Sequence, residues 1–216
     1  MLSEYADLRV QRTRILLCNT LVDLIAEKGF DAITVKDIAE RAMINRATFY
    51  RHFEDKRALV TYIFKEAVES MLNEIGPVEK NIEIFVDFDA ATDDIPNARM
   101  RDAISTMSRF FEYFAKNEKL YRSLLGKNGS PWFSTQMCNY LSMIWLHRIQ
   151  SSNRLFKKKT GGAYVMSAEM AAACLARSIV GMITWWLESG TSETAEKMAT
   201  GCLLSIAYGY YHALGL

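Results

Sequence analysis

A short stretch near the N-terminus concentrates side chains that can bind a polyanion. Asn45, Arg46 and Thr48 lie close together, and Tyr50 and His52 follow them. Amide, guanidinium, hydroxyl and imidazole groups can hydrogen-bond to base edges and to phosphate oxygens. The residue types therefore suit contact with a nucleic acid, provided that one surface presents them together.

Helical spacing separates these polar groups from an apolar pair. Phe49 and Phe53 are four residues apart and share one helical face. Tyr50 and His52 are two residues apart, so they cannot share one buried stripe with that pair. We therefore predict that the two phenylalanines enter the core and that the polar residues face outward. A solvated face on an ordinary helix is the alternative that the spacing alone leaves open.

Two short helices are predicted to position this stretch. Residues 34–37, Thr-Val-Lys-Asp, have the pattern of a capping box, and Asn45 can cap a following helix. Helices over 34–42 and 45–53, joined by about three residues, have helix-turn-helix spacing. In that motif the N-terminal end of the second helix meets base edges in the major groove, and its flanks hold phosphates.

Further helices are predicted on both sides. The preceding helix has Leu17, Leu21, Leu24 and Ile25 on one face and ends at Lys28-Gly29. Asp55 can cap a helix that ends at Gly76-Pro77, and residues 76–97 are irregular. Helical patterns return at 98–116, 118–125, 131–150, 166–189 and 192–214. A loop is predicted between the third and fourth of these, marked by Ser151-Ser152-Asn153 and Gly161-Gly162.

Residues 33–42, 45–53 and 55–56, taken together, resemble the signature of the TetR/AcrR regulators. The resemblance covers about residues 10–60, and residues 185–190 with 192–193 are similar to the last two helices of that family. It implies an all-α fold. It further implies an N-terminal three-helix helix-turn-helix domain at 1–56 and a C-terminal helical bundle for effector binding and dimerisation at 57–216. Within the second domain, residues 57–75 form the connecting helix.

The resemblance also implies a role for individual residues. Thr34, Lys36, Tyr50, His52 and Lys56 would hold phosphates. Asn45, Arg46, Ala47 and Thr48 would occupy the base-reading end. Arg46 is the first choice for direct readout, because a guanidinium can grip guanine O6 and N7 together.

The sequence departs from the family in the turn, where members usually have glycine and this chain has Met43. A methionine at positive φ costs on the order of 1 kcal/mol. We therefore expect a locally altered turn.

One recognition helix reads few base pairs, so we predict a homodimer on a pseudo-palindromic operator. The candidate interface combines small residues four apart with an apolar stripe. Its residues are Gly201, Ser205, Gly209, Ala168, Ala172, Leu175, Ile179 and Met182. Packing inside one chain is the alternative for these residues; the family's four-helix dimer bundle favours the interface.

Aromatic and methionine residues crowd the middle of the chain and form a candidate lining for a small, largely apolar effector. They are Phe110, Phe114, Tyr121, Trp132, Met137, Tyr140, Met143 and Trp185. For any single member, plain core packing is the alternative. We expect the effector to release the DNA by favouring a different spacing of the two DNA heads, with the fourth helix as the lever.

An enzyme and a DNA-binding protein that recruits other proteins are the alternatives to a transcriptional regulator. The formal net charge is +1, so the whole chain has no bias toward nucleic acid. No Gly-x-Ser-x-Gly, P-loop or His-Glu-x-x-His occurs, which disfavours an all-helical enzyme, and no cofactor or metal is expected. A DNA-binding protein that recruits protein partners stays open, as does activation in place of repression.

Three other segments or residue sets suggest a membrane span, a metal site or a thiol sensor. Residues 198–216 are uncharged and long enough for a membrane span, but a buried interface helix is favoured. Asp87, Asp89, Asp93 and Asp94 lack the glycine and glutamate of a calcium loop, and Lys157-Lys158-Lys159 are expected in a flexible loop. The four scattered cysteines indicate buried thiols and a cytoplasmic protein, with a sensor thiol as the rarer case.

Overall fold

The computed structural model describes residues 2–75, 98–160 and 166–206, and within those ranges it contains nine helices and no strand. They are α1 Leu2–Lys28, α2 Val35–Arg41, α3 Arg46–His52, α4 Lys56–Ile75, α5 Ala98–Lys116, α6 Glu118–Leu125, α7 Pro131–Thr160, α8 Ala168–Glu188 and α9 Ala195–Ser205. The all-α prediction is confirmed. The irregular stretch 76–97 with its aspartates, the Gly161-Gly162 pair and the chain after 206 lie outside the described residues.

The chain divides into two compact units. The first contains the described residues up to Glu69 together with Lys119–Ser134, and the second contains the described residues of Ser70–Glu118 and those from Thr135 onward. The first unit thus includes a segment that is distant in sequence. The domain boundary between residues 56 and 57 follows the family resemblance and stays a prediction.

The core of the first unit forms where α1, α2 and α3 contact one another. Leu17, Leu21 and Ile25 of α1 are buried, as are Ile38 of α2 and Phe49 of α3. These are the apolar positions that helical periodicity predicts. α1 ends as predicted, because Gly29 adopts φ +79° and its N–H donates to the Ile25 carbonyl at 2.9 Å.

The segment 119–134 joins this unit through polar and aromatic contacts. The Lys119 ammonium lies 2.6 Å from the Asp23 carboxylate of α1. The Phe30 N–H donates to the Asn128 carbonyl at 3.0 Å. The ring of Phe64 on α4 packs edge-on against that of Phe133, with centroids 5.6 Å apart. The loop between α1 and α2 is therefore fixed by residues almost 100 positions later in the chain.

The second unit packs α9 mainly against α5, with α8 in contact with both. The rings of Phe111 and Trp186 meet edge-on at 5.6 Å, and the Trp186 indole N–H donates to the Glu193 carbonyl at 2.8 Å. α8 is the one described helix that is long and apolar enough to cross a membrane, and half of its most apolar stretch is buried inside the structure. The core helix of a globular protein has the same length and composition, so these properties of α8 are weak evidence for a membrane span.

One predicted loop is wrong. α7 continues through Ser151, Ser152 and Asn153 and ends at Thr160, so it also contains the three lysines 157–159. Serine and asparagine each cost only a few tenths of a kcal/mol more than the better helix formers. Since no glycine or proline interrupts residues 132–160, nothing there breaks the helix.

Candidate nucleic-acid interface

The start of α2 is fixed by the predicted capping box. The Asp37 N–H donates to Thr34 Oγ1 at 3.2 Å, and the Thr34 N–H donates to Asp37 Oδ2 at 2.7 Å. The Lys28 ammonium lies 2.9 Å from Asp37 Oδ1. The Thr34 hydrogen bonds, assisted by Lys28, hold the pKa of the Asp37 carboxyl well below its usual range. The first turn of α2 is therefore set by the polar groups of Thr34, Asp37 and Lys28 rather than by burial.

The turn between α2 and α3 has the hydrogen bonds of a Schellman motif. The Met43 N–H donates to the Glu40 carbonyl at 3.1 Å, and the Ile44 N–H donates to the Ala39 carbonyl at 3.0 Å. Met43 itself has φ +53° and a 92% exposed side chain. The expected alteration of the turn is therefore wrong. Methionine adopts the left-handed conformation that glycine would take more easily.

α3 begins after Asn45, whose Oδ1 accepts the Ala47 N–H at 2.9 Å. Phe49 is the one fully buried residue of the helix, and Phe53 follows it into the core. Arg46 and Tyr50 are exposed. The predicted separation of an apolar inner face from a polar outer face is confirmed.

The outer faces of α2 and α3 carry exposed cationic side chains whose donors are wholly or partly available. Arg46 makes no hydrogen bond or ion pair with any described residue, so its guanidinium is ready for an external acceptor. Lys36 on α2 is exposed and has only a loose contact, 3.7 Å, with Glu40. Arg51, which the sequence reasoning did not single out, is also exposed, and it donates to Thr48 Oγ1 at 3.1 Å. Its position beside Tyr50 on a predicted recognition helix is the signal that could have identified it.

His52 lies at the end of α3, half-buried beside two arginines. Burial, followed by the charges of Arg14 and Arg51, lowers the pKa of its imidazole below 6.5. The Arg14 guanidinium in turn lies 5.4 Å from the centre of the Tyr62 ring. At neutral pH His52 is therefore an uncharged donor, suited to a single hydrogen bond.

Lys56, which was predicted to contact a phosphate, instead has its ammonium bonded to carbonyls of its own chain. Its ammonium donates to the carbonyls of Phe30 at 2.9 Å, Asp31 at 3.2 Å and Ile33 at 2.8 Å, and it lies 4.5 Å from the centre of the Phe30 ring. An ammonium has three protons, so these bonds use all of them. The structure assigns Lys56 to fixing the loop before α2, and it leaves no proton for a phosphate.

The predicted effector-lining residues are divided between the two units. Tyr121 and Trp132 belong to the first unit. The second unit contains Phe110, Phe114, Met137, Tyr140, Met143 and Trp185. Of these, Phe110, Phe114 and Met137 are buried, and the first two rings are 4.9 Å apart. Met143 and Trp185 are instead more than half exposed.

The predicted dimer residues are also divided. Ala172, Leu175 and Ile179 are buried inside a single protomer, so they present no surface to a second copy. Ala168 and Met182 are half-buried, Gly201 and Ser205 are exposed, and Gly209 lies outside the described residues. The middle of the apolar stripe is therefore part of the core, and a dimer interface that includes the other predicted residues stays a prediction.

Three thiols are protected from ionisation. Burial, together with the nearby Glu66 carboxylate, raises the pKa of Cys18 to about 12. Burial raises the pKa of Cys202 to about 12, and it also raises that of Cys138. Because the thiolate is the reactive form, none of the three fits a redox sensor.

Two family models match the chain. One, described as bacterial regulatory proteins of the tetR family, matches residues 19–63, which contain α2 and α3. The other, described as a transcriptional regulator C-terminal region, matches residues 102–206. The matched ranges fall in both halves of the sequence.

Two of the curated relatives, both from Bacillus subtilis, illustrate the match. The chain is 25% identical over 194 residues to the uncharacterised HTH-type transcriptional regulator YxbF, covering 89% of this chain and 44% of that protein. It is 42% identical over 52 residues to a second such regulator, YdeS, covering 24% and 26%. The chain thus spans less than half the length of these relatives.

Solved structures share the fold. A TetR transcriptional regulator from Streptococcus agalactiae aligns with a TM-score of 0.60 at 18% identity, covering 94% of this chain and 98% of that one. The regulator FadR from Bacillus subtilis, solved in complex with stearoyl-CoA, aligns with a TM-score of 0.55 at 17% identity, covering 90% and 98%.

Proposed function

We propose that this chain, which belongs to the TetR/AcrR family of transcriptional regulators, binds a pseudo-palindromic operator as a homodimer and represses transcription until a small, largely apolar effector releases it. The outer face of α3 is the observation that carries this proposal. It presents Arg46 and Tyr50 to solvent while Phe49 anchors the helix in the core. We place the protein in the cytoplasm, where its DNA is, and we assign it no enzymatic activity.

Base readout is assigned to the N-terminal end of α3, residues 45–48. Arg46 has a guanidinium without a partner among the described residues, and bidentate bonds to guanine O6 and N7 suit it. Phosphate contacts are assigned to Thr34, Lys36, Tyr50 and His52. Lys56 acts indirectly, because it holds the loop that positions Thr34.

A homodimer is proposed through the exposed side of α8 and α9. Met170, Trp185 and Leu204 are exposed large apolar side chains there, and Gly201 and Ser205 allow close approach. Introducing a charge by Leu204→Glu is expected to shift the sedimentation coefficient from dimer to monomer. Glutamate at Met143, an even more exposed apolar position on α7, serves as the control and leaves the dimer intact. A dimer that survives both changes would contradict this interface.

The effector is proposed to bind among the aromatic residues of the second unit, near Phe110, Phe114 and Met137. The stearoyl-CoA complex of FadR supports a long-chain acyl ligand, since the two proteins share a fold. α4 contains residues of both units, so we assign to it the transmission of the effector signal. Stearoyl-CoA should raise the melting temperature and weaken DNA binding; no change in either would contradict an acyl effector.

DNA binding is tested with the protein's own upstream intergenic region across a salt series. A protein that neutralises several phosphates loses affinity steeply with salt. Arg46→Ala should reduce the preference for the specific site, whereas Arg109→Ala, an exposed arginine of α5, should not. Binding that is weak and insensitive to both salt and Arg46→Ala would refute the proposal. A reporter gene under the same promoter then distinguishes repression from activation.

A further inference from the structure

We propose that Met43 contributes to sequence readout by packing its apolar side chain against the C5-methyl group of a thymine in each half-site. The proposal rests on the proposed function, in which α3 enters the major groove. It concerns a residue outside the usual set of polar contacts.

The protomer itself gives no reason for a methionine at this position. With φ +53°, Met43 adopts a conformation that side chains with a Cβ disfavour and glycine does not. The turn is closed by main-chain bonds, from the N–H groups of Met43 and Ile44, which glycine would make equally well. The side chain is 92% exposed, so it contributes almost nothing to the core. Strained residues of this kind cluster at binding sites.

The degree of exposure is itself unusual. Among the described large apolar side chains the next most exposed is Met143, at 60%. Met43 projects into solvent from a turn that is fixed on both sides, by the α2 cap before it and by the Asn45 cap of α3 after it. It is therefore held at the same end of α3 as Arg46, the end assigned to base readout.

The chemistry of the major groove identifies the ligand. Base edges there present donors, acceptors and one kind of apolar group, the thymine methyl. Methionine is unbranched and polarizable, so it can follow such a methyl without a rigid fit. A thioether sulfur is only a weak acceptor and has no proton to donate, so phosphates and polar base edges would gain little from it. A thymine methyl is therefore the partner that matches the side chain.

The test replaces each operator thymine in turn by deoxyuridine, which lacks only the methyl group. Wild-type protein should lose about fourfold in affinity at one thymine per half-site, the effect of one buried methyl-sized group. Met43→Gly should bind more weakly and show no loss at that thymine, while it still responds to changes at the guanine assigned to Arg46. Met43→Leu, which keeps an apolar chain, should retain sensitivity to the methyl group.

A folding defect cannot imitate this pattern, because Met43→Gly is expected to melt at the same temperature as the wild type or higher. Equal losses at every thymine for wild type and Met43→Gly would overturn the assignment of Met43 and leave the proposed function intact. If Met43→Gly changes the sedimentation coefficient but has the same deoxyuridine profile as wild type, Met43 contacts protein and its assignment to a thymine is wrong. Failure of wild type to bind with a salt slope would overturn both.

Discussion

Replacing Lys56 by methionine separates the role that the structure assigns to this residue from the role predicted from the sequence. The ammonium donates three hydrogen bonds to loop carbonyls, two of them part-buried, and it lies against the Phe30 ring. Methionine keeps the apolar stem but removes all three donated bonds, so that the Phe30 carbonyl keeps only the Ile33 N–H, at 3.2 Å. Two part-buried acceptors at about 1–1.5 kcal/mol each, with about 0.5 kcal/mol for the ring contact, give a loss of about 3 kcal/mol.

In a chain of 216 residues this loss lowers the melting temperature by about 6–12 °C. Thermal unfolding of Lys56→Met and Lys56→Arg at one protein concentration measures it. Arginine should not rescue stability, because its planar fork cannot direct three protons toward carbonyls gathered around one point. Unchanged melting of Lys56→Met, together with a loss of about one unit in the slope of log affinity against log salt, would refute this reasoning. It would restore Lys56 as a phosphate contact.

Gly129, His52 and the two most strongly shifted thiols each have a local environment with a measurable consequence. Gly129→Ala should destabilise the protein by about 2 kcal/mol or more, because a Cβ there would lie 2.3 Å from the Leu124 carbonyl oxygen; chemical denaturation measures it. Because the pKa of His52 is lowered in the folded protein, the imidazole takes up a proton first in the unfolded chain, and the free energy of unfolding should fall as the pH drops through 6.5. DNA affinity should rise when His52 is protonated. His52→Gln should remove both trends. Cys18 and Cys202 should resist alkylation at pH 8 in the folded protein, as mass spectrometry would show, because burial keeps both protonated.

Each has a control. Alanine at Gly181, a helical position where a Cβ meets nothing within 4 Å, should not destabilise the protein. Equal losses from the Gly129 and Gly181 variants would contradict the steric argument. A pH dependence that persists in His52→Gln would assign the titration to another group. Rapid alkylation at either buried thiol would show that the helices around it open.

The sequence predicts most reliably those contacts that are local. Thr34 and Asp37 are three residues apart, and Asn45 caps an amide two residues later. Each cap can therefore be recognised from a few consecutive residues. The buried position of Phe49 follows from helical periodicity for the same reason. These features fix the predicted recognition helix, and they required no knowledge of distant residues.

Long-range contacts are what the sequence does not reveal. Lys56 reaches carbonyls 23–26 residues earlier, and nothing near it in the sequence indicates those acceptors. Tyr121 and Trp132 fall in the first unit although the sequence suggested a common lining with Phe110. The apolar stripe on α8 marks burial, but periodicity cannot say whether Leu175 is covered by its own chain or by a second copy.

The prediction of an altered turn at Met43 was wrong for another reason. Its conformational preference is a local property, and the expected cost of about 1 kcal/mol is real but small. Two main-chain hydrogen bonds and the caps on either side hold the turn in place. A local preference of that size is overridden when the surrounding structure determines the backbone.

The central claim is that α3 reads bases, and the base preference of Arg46 tests it most directly. Every operator position is substituted in turn, with 7-deazaguanine replacing guanine to remove the N7 acceptor, and binding is measured for wild type and Arg46→Ala at fixed salt. We predict that wild type discriminates by about 1–3 kcal/mol at one symmetry-related guanine per half-site and that Arg46→Ala loses discrimination at that guanine alone. Identical profiles for the two proteins would contradict the account, because another surface would then be reading the DNA.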